Sequence, residues 1–175
     1  MQDNAPILLL PDAGPLITLA YANALDLLFK PAWTVQIVDM VIHELTRNQT
    51  PSSQVIEAWV SRNAVQILPT RVFQHYLKLQ ASSPTPKKSN LGELATQEAM
   101  TEFAMQDSAT VGVFLFEDHR IARASFVLPA NCRKVSTRAF LLFLERKGWL
   151  ESAAAVERNA ILNGRHFSQL RFPPK

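Results

Sequence analysis

The sequence predicts an α/β protein with a central, mostly parallel sheet that is covered by helices on both faces. Short apolar runs of strand length alternate with longer segments in which apolar residues recur at helical spacing. The run at residues 7–10 is apolar at every position, as expected for a strand that is buried on both faces. Strands that alternate with helices favour a parallel sheet, because a helix normally provides the crossover between parallel strands.

Five segments have the length and composition of strands. They are residues 7–10, 34–38, 65–68, 111–116 and 133–135. The segment at 34–38 is rich in β-branched residues, which favour strands, and Pro69 ends the next one. The clearest strand of the five is the apolar segment at 111–116.

Helical spacing connects these strands. The predicted helices are residues 16–29, 41–46, 55–62, 72–80, 91–105, 121–126, 137–147 and 151–162. Asn163 and Gly164 form a good helix stop. The Pro- and Ser-rich stretch at 81–90 predicts a mobile surface loop and not a domain boundary. We therefore expect a single domain over 1–175, with a core at about 7–150 and a C-terminal helix and basic tail at 151–175.

Composition excludes several classes of protein. Apolar residues make up 47% and charged residues 19% of the 175 residues, which is typical of a folded chain. One cysteine, Cys132, excludes an internal disulfide framework and a cysteine-rich zinc site, and we expect it to be buried. No apolar run approaches the roughly 18 residues needed to span a bilayer. The N-terminus lacks the features of a signal peptide, so we expect a cytoplasmic protein with no membrane partner.

Four acidic residues stand where a ligand site is expected. Asp12 follows the first strand, Glu44 lies about one turn beyond the second, Glu93 opens a helix, and Asp118 follows the strand at 111–116. Ligands of parallel sheets collect at the carboxyl ends of the strands. Carboxylates that converge there need a cation, and oxygen ligands select Mg²⁺ or Mn²⁺. Such a metal suits the hydrolysis of a phosphodiester.

Ordinary structural roles are the alternative for each acid. Asp12 and Asp118 would each cap a following helix, and Asn90 with Glu93 has the spacing of a capping box. Glu44 would be a solvated helix residue. The spacing alone leaves the two interpretations open.

The chain resembles the PIN-domain family of metal-dependent nucleases. The matching segments are 9–17 (LLPDAGPLI), 38–45 (VDMVIHEL), 90–93 (NLGE) and 113–120 (VFLFEDHR). The similarity covers about 7–150 and is closest to the prokaryotic branch whose third acid lies in a Gly-Glu pair. Gly14 stands where many relatives carry a hydroxyl or Asn, and Arg120 stands near the fourth acid, where Glu117 would partly compensate.

The resemblance implies a three-layer α/β/α fold and a catalytic quartet of Asp12, Glu44, Glu93 and Asp118. The quartet would hold one or two Mg²⁺ or Mn²⁺ ions for RNA hydrolysis. We expect Asp12 and Asp118 to be direct ligands, since they follow the two clearest strands. Glu93 would bind the metal directly or through water, and Glu44 would orient a water.

The functional expectation is a ribonuclease that is the toxin of a toxin–antitoxin pair, with an antitoxin protein as partner. The alternative is a PIN-like module that binds RNA or protein without cutting. A haloacid-dehalogenase-type phosphatase is set aside, because that chemistry needs a second Asp where Gly14 stands. We also expect a homodimer, with Trp59 as the residue to check for dimer contact.

Three further polar residues lie beside these motifs. His43 and His119 each neighbour a proposed ligand, although adjacent helical side chains face different ways. Thr137 either touches phosphate or a metal-bound water, or caps the helix that follows it.

Overall fold

A computed structural model describes residues 5–83, 90–106, 109–117 and 128–166. The strands in these ranges are β1 Ile7–Pro11, β2 Thr34–Val38, β3 Gln66–Leu68, β4 Val111–Phe116 and β5 Cys132–Ser136. The α-helices are α1 Ala13–Tyr21, α2 Asp39–Thr46, α3 Pro51–Arg62, α4 Arg71–Ser82, α5 Leu91–Met105, α6 Thr137–Arg146 and α7 Ala153–Leu162. A short 3₁₀-helix spans Leu25–Phe29. Within the described ranges, every helix is too short or too polar to cross a bilayer.

The strands form one parallel sheet in the order β3-β2-β1-β4-β5. β1 is therefore central and has β2 on one side and β4 on the other. Pro11 is level with Leu115 of β4, and Phe116 is level with Ser136 of β5. The strands thus end at the same edge, which is where the ligands of a parallel sheet collect.

Helices cover the sheet and bury both of its faces. Leu9 and Leu115 belong to the larger core cluster, which includes side chains of α1, α3 and α6. Leu8, Leu10 and Phe114 face the other way and pack with Met100 of α5. The predicted α/β fold with a parallel sheet is confirmed, and the layers are those of a three-layer α/β/α arrangement.

One predicted helix is wrong in its extent. Residues 16–29 were expected to be continuous, but α1 ends at Tyr21 and a separate 3₁₀-helix follows. Asn23 has φ of 53°, a left-handed conformation that an α-helix cannot contain. Spacing alone did not reveal the break, because leucines on both sides of it contribute to the same core.

The remaining predicted elements agree with the structure to within a few residues at their ends. α2 begins earlier than expected, at Asp39, because the chain turns into this helix directly after β2. α3 also begins earlier, at Pro51, because Thr50 and Ser53 form a capping box at its start. Most of the predicted loop at 81–90 and the predicted helix at 121–126 lie outside the described residues.

Candidate active site

Asp12 lies at the carboxyl edge of the sheet, directly after the central strand. Its backbone N–H donates to the carbonyl of Leu115 at 2.8 Å, which extends the ladder between β1 and β4 by one residue. Because Leu9 is level with Val35, Asp12 is level with Val38, the last residue of β2. Asp12 therefore stands between the ends of two neighbouring strands, as the sequence predicted.

Asp12 occupies the N-cap position of α1, but its side chain does not act as a cap. The carboxylate accepts no hydrogen bond from the first turn of that helix. The capping interpretation of Asp12 is therefore wrong, and the residue is half-buried.

Glu44 reaches the N-terminus of α5, where Glu93 lies. An Oε1 atom of Glu44 accepts a hydrogen bond from the backbone N–H of Gly92 at 3.2 Å, and Glu93 is the next residue. The N-terminus of a helix favours a negative charge, because its first N–H groups have no partner within the helix. Both glutamates are half-buried, so the interpretation of Glu44 as a solvated helix residue is wrong.

Burial has an electrostatic effect on Glu44. It raises the pKa of the carboxyl above its ordinary value, while the Gly92 N–H and the charge of Arg47 lower the pKa in part. A desolvated carboxylate is stabilised by a nearby cation. Glu44 is therefore a suitable member of a cation site.

The predicted capping box at the start of α5 does not form. Asn90 is the N-cap residue, but its backbone is left-handed, with φ of 63°, and its side chain makes no capping hydrogen bond. A capping box needs an extended N-cap residue, so that the two side chains and N–H groups meet. Glu44 provides the acceptor from outside the helix instead.

Glu117, the residue after β4, is bound by Thr18 and Arg165. The Thr18 hydroxyl lies 2.9 Å and 2.8 Å from the two carboxylate oxygens and donates to them. Arg165 donates from Nη2 to Glu117 Oε2 at 2.9 Å and from Nε to the Thr18 hydroxyl at 2.9 Å. Burial raises the pKa of Glu117, and the bonds from Arg165 and Thr18 oppose that rise. Glu117, the acid expected to compensate for Arg120, is therefore already paired with Arg165 within the chain.

Asp39 is an acid at the same edge that was given no role from the sequence. It follows β2 directly, but it is buried and holds the loop before α4. Its Oδ2 accepts from the Thr70 backbone N–H at 2.6 Å, and its Oδ1 accepts from the Thr70 hydroxyl at 2.7 Å. Its place directly after a strand was the signal that could have drawn attention to it. The three-dimensional contacts show that it serves the fold.

Several side chains considered from the sequence have ordinary packing roles. Cys132 is buried, as expected. His43 packs against the rings of Phe73 and Tyr76, with centroids 5.2 and 5.3 Å away. Trp59, the residue to check for dimer contact, is only 2% exposed within one chain, where its ring stacks on Phe29.

Thr137 is not the helix cap. Ser136 caps α6 by accepting from the N–H of Ala139 at 3.1 Å. The Thr137 hydroxyl donates to the carbonyl of Phe116 at 3.4 Å, and the residue is buried. Thr137 therefore links the end of β4 to the start of α6 by a hydrogen bond.

The fourth predicted acid, Asp118, lies outside the described residues, as do His119 and Arg120. Within the described ranges, no three His, Cys, Asp or Glu side chains are grouped so as to hold a metal ion. Asp12, Glu44 and Glu93 each offer carboxylate oxygens, and Glu44 is partly desolvated. Oxygen donors of this kind fit Mg²⁺ or Mn²⁺.

The fold and this edge define an α/β protein with acidic residues at the carboxyl ends of a parallel sheet. Comparisons with models of protein families, with curated proteins and with solved structures find no match. The fold is therefore assigned from the structure itself.

Proposed function

We propose that this chain is a metal-dependent endoribonuclease of the PIN type. The observation that carries the proposal is the position of Asp12 at the end of the central strand, level with the ends of β2 and β4. In the sequence, Asp118 stands two residues after the end of β4, and β4 is the neighbour of β1 in the sheet. Asp12 and Asp118 thus follow adjacent strands, at the carboxyl ends where a parallel sheet binds its ligands.

Each acid has a separate part in the proposal. Asp12, Glu93 and Asp118 would hold Mg²⁺ or Mn²⁺, and Glu44 would orient a water from the N-terminus of α5. The metal would lower the pKa of a water and neutralise charge on the phosphodiester. Support for these parts comes from the half-buried carboxylates of Asp12, Glu44 and Glu93 and from the failure of the capping alternatives.

The experiment is a titration of the purified chain with Mn²⁺, followed by a cleavage assay on single-stranded and structured RNA. Calorimetry should detect binding in the micromolar to millimolar range, and the RNA should be cut only when metal is present. A wild-type chain that binds no Mn²⁺ at millimolar concentration would contradict the proposal.

A second candidate is a PIN-like module that binds RNA or protein without cutting. The observation that favours it is the bonding of Glu117 to Arg165, which withdraws that carboxylate from the acidic edge. The two candidates differ in one result. The module would retain RNA binding in a gel-shift assay but would leave the RNA intact with either metal.

The partners and location belong to the same proposal. A toxin would act in the cytoplasm and would be restrained by an antitoxin encoded beside it. A homodimer also stays a prediction, and Leu16, Leu19 and Ile56 of α1 and α3 are buried within one chain. Light scattering at micromolar concentration tests it, and a monomer mass would contradict it.

A further inference from the structure

A groove of about 810 Å³ lies between α4 and α5, and we call it the α4–α5 groove. Its floor contains Val72 and Tyr76, which pack on the larger core cluster. Its walls carry Leu79, Leu94 and Met105, which are 44%, 49% and 80% exposed. Apolar side chains that line one groove and reach water favour contact with another apolar surface, because that contact removes them from water. The α4–α5 groove is therefore a candidate docking surface.

The two helices that form the groove carry opposite charges. α4 contains arginine, lysine and histidine but no acidic residue, whereas α5 contains three glutamates and no basic residue. On the groove itself, Arg71 and His75 belong to α4, and Glu98 and Glu102 belong to α5. The Arg71 side chain is 86% exposed, with Nε 3.9 Å from Glu98 Oε1 and Nη2 3.5 Å from Glu102 Oε1. The basic and acidic walls are therefore level with each other at the start of α4.

We propose that the α4–α5 groove is the surface through which two copies of this chain associate. A two-fold axis that runs along the groove places α4 of each copy on α5 of the other. Because Arg71 is level with Glu98 and Glu102 in its own chain, the axis also brings it level with the same glutamates of the second copy. The apolar walls then cover each other, and basic residues face acidic residues at two symmetric places.

The charges of the groove also decide between ways of pairing. A two-fold axis that runs across the groove would place α4 on α4 and α5 on α5, and like charges would then face each other at a cost in free energy. The competing occupant is a helix of another protein. It would need an acidic side toward α4 and a basic side toward α5, which is the pattern that a second copy already has.

The inference does not depend on the proposed nuclease chemistry. It assigns a surface to the expected homodimer, and that surface consists of helices other than α1 and α3. Its failure would therefore leave the metal-binding and cleavage experiments unaffected.

The first experiment tests the apolar part of the groove. Light scattering across the micromolar range should show the wild type passing from monomer to dimer. Leu94→Gln should raise the dissociation constant of the dimer by about tenfold or more, because two copies of the leucine side chain leave the interface. Leu142→Gln is the matched control, since Leu142 is 40% exposed but belongs to α6. It should associate like the wild type.

The second experiment tests the charges by mixing two variants. Arg71→Glu turns an acid toward the acidic wall of the second copy, and Glu102→Arg turns a base toward the basic wall. Each variant alone should have a dissociation constant raised by about tenfold or more, because like charges meet at two symmetric places. An equimolar mixture should form a heterodimer with nearly wild-type affinity. One side of that heterodimer pairs the two new charges, and the other side pairs the two original ones.

Arg62→Glu is the matched control for charge reversal, because it breaks an exposed ion pair with Asp26, away from the groove. It should dimerise like the wild type, and thermal melting should show that every variant is folded, since exposed ion pairs add little stability. A wild type that stays monomeric throughout the micromolar range would overturn the inference and leave a helix of another protein as the occupant. Dimers of folded Leu94→Gln with unchanged affinity would also overturn it, as would a mixture of the two charge variants that associates no better than either alone.

Discussion

Glu44 lies against Gly92 so closely that any side chain at position 92 would displace its carboxylate. The Gly92 N–H donates to Glu44 Oε1 at 3.2 Å, and a Cβ on Gly92 would lie 2.7 Å from Glu44 Oε2. The fold thus explains why a glycine stands at position 92, before Glu93. The glycine lets an acid of α2 reach the N-terminus of α5, next to Glu93.

Gly92→Ala tests this relationship. The end of the Glu44 side chain is flexible and moves away, which loses a hydrogen bond worth about 1 kcal/mol. Alanine within a helix recovers about 0.5–1 kcal/mol relative to glycine. We therefore expect a change in unfolding free energy within about 1 kcal/mol of zero, measured by urea denaturation.

The double-mutant cycle with Glu44→Ala makes that prediction specific. Without the glutamate side chain, Gly92→Ala should stabilise the protein by about 0.5–1 kcal/mol, because only the helix propensity remains. The coupling energy between the two positions should be about 1 kcal/mol. Additive effects would show that the carboxylate does not contact Gly92 in solution.

Asp12→Asn tests the chemistry of the acidic edge. The amide is nearly isosteric with the carboxylate but lacks the negative charge that holds a hard cation. RNA cleavage should fall by a factor of about 10² or more, and Mn²⁺ binding should weaken in calorimetry. Melting without metal should stay level or rise slightly, because the substitution removes one negative charge from the acidic edge.

Asp26→Asn is the matched control for that variant. Asp26 accepts from the Trp59 ring N–H at 2.8 Å and belongs to the 3₁₀-helix, away from the carboxyl edge. It should lose some stability and keep its metal affinity and activity. Equal losses of activity in both variants would point to damage to the fold and would remove the support for Asp12 as a ligand.

Glu157 makes the stability of the fold depend on pH. Burial raises the pKa of its carboxyl above the ordinary value of 4.5, and the charge of Arg138 offsets only part of that rise. The stability that this group contributes is therefore fully present below pH 4.5 and is lost as the pH rises through its folded-state pKa. Glu157→Gln should raise the melting temperature relative to the wild type at neutral pH, and the difference should shrink on acidification.

Glu151→Gln provides the comparison, because Glu151 is exposed. Its melting temperature should follow that of the wild type across the same range. If the difference in melting temperature between Glu157→Gln and the wild type were the same at every pH, the raised pKa of Glu157 would be contradicted.

Trp59→Phe tests the packing of α3 on the 3₁₀-helix. Trp59 stacks on Phe29 with centroids 5.1 Å apart and donates to Asp26. The substitution loses this bond and part of a buried ring, so unfolding should become easier by about 1–2 kcal/mol. Trp149→Phe should change stability by less than about 0.5 kcal/mol, because Trp149 is 41% exposed. Light scattering should give both variants the mass of the wild type.

The strands were the most predictable part of this chain. Leu8, Leu9 and Leu10 are all buried, because β1 is central and covered on both faces. A strand of that kind is apolar at every position, and the run is too short for a buried helix. The break at Asn23 was not predictable in the same way, since one backbone conformation leaves no mark on the spacing of apolar residues.

The site was predictable only where an acid follows a strand directly. That rule placed Asp12 correctly, but it applies equally to Asp39, whose carboxylate is taken up by Thr70. The contact of Glu44 with Gly92 joins residues 48 positions apart, and local propensity contains no information about it. Likewise, Asn90 and Glu93 have the spacing of a capping box, but the left-handed backbone of Asn90 excludes it.

The sequence by itself determined the alternation of strands and helices, the parallel sheet and the position of Asp12 at a strand end, because these follow from local apolar patterns. Only the tertiary structure decided which acids remain at the edge and which are bound within the chain. Glu117 lies beside Asp118 in sequence, yet Thr18 and Arg165, at separations of 99 and 48 residues, bind its carboxylate. The energy of a buried charge depends on the groups that surround it in space, so sequence neighbours alone do not determine its role.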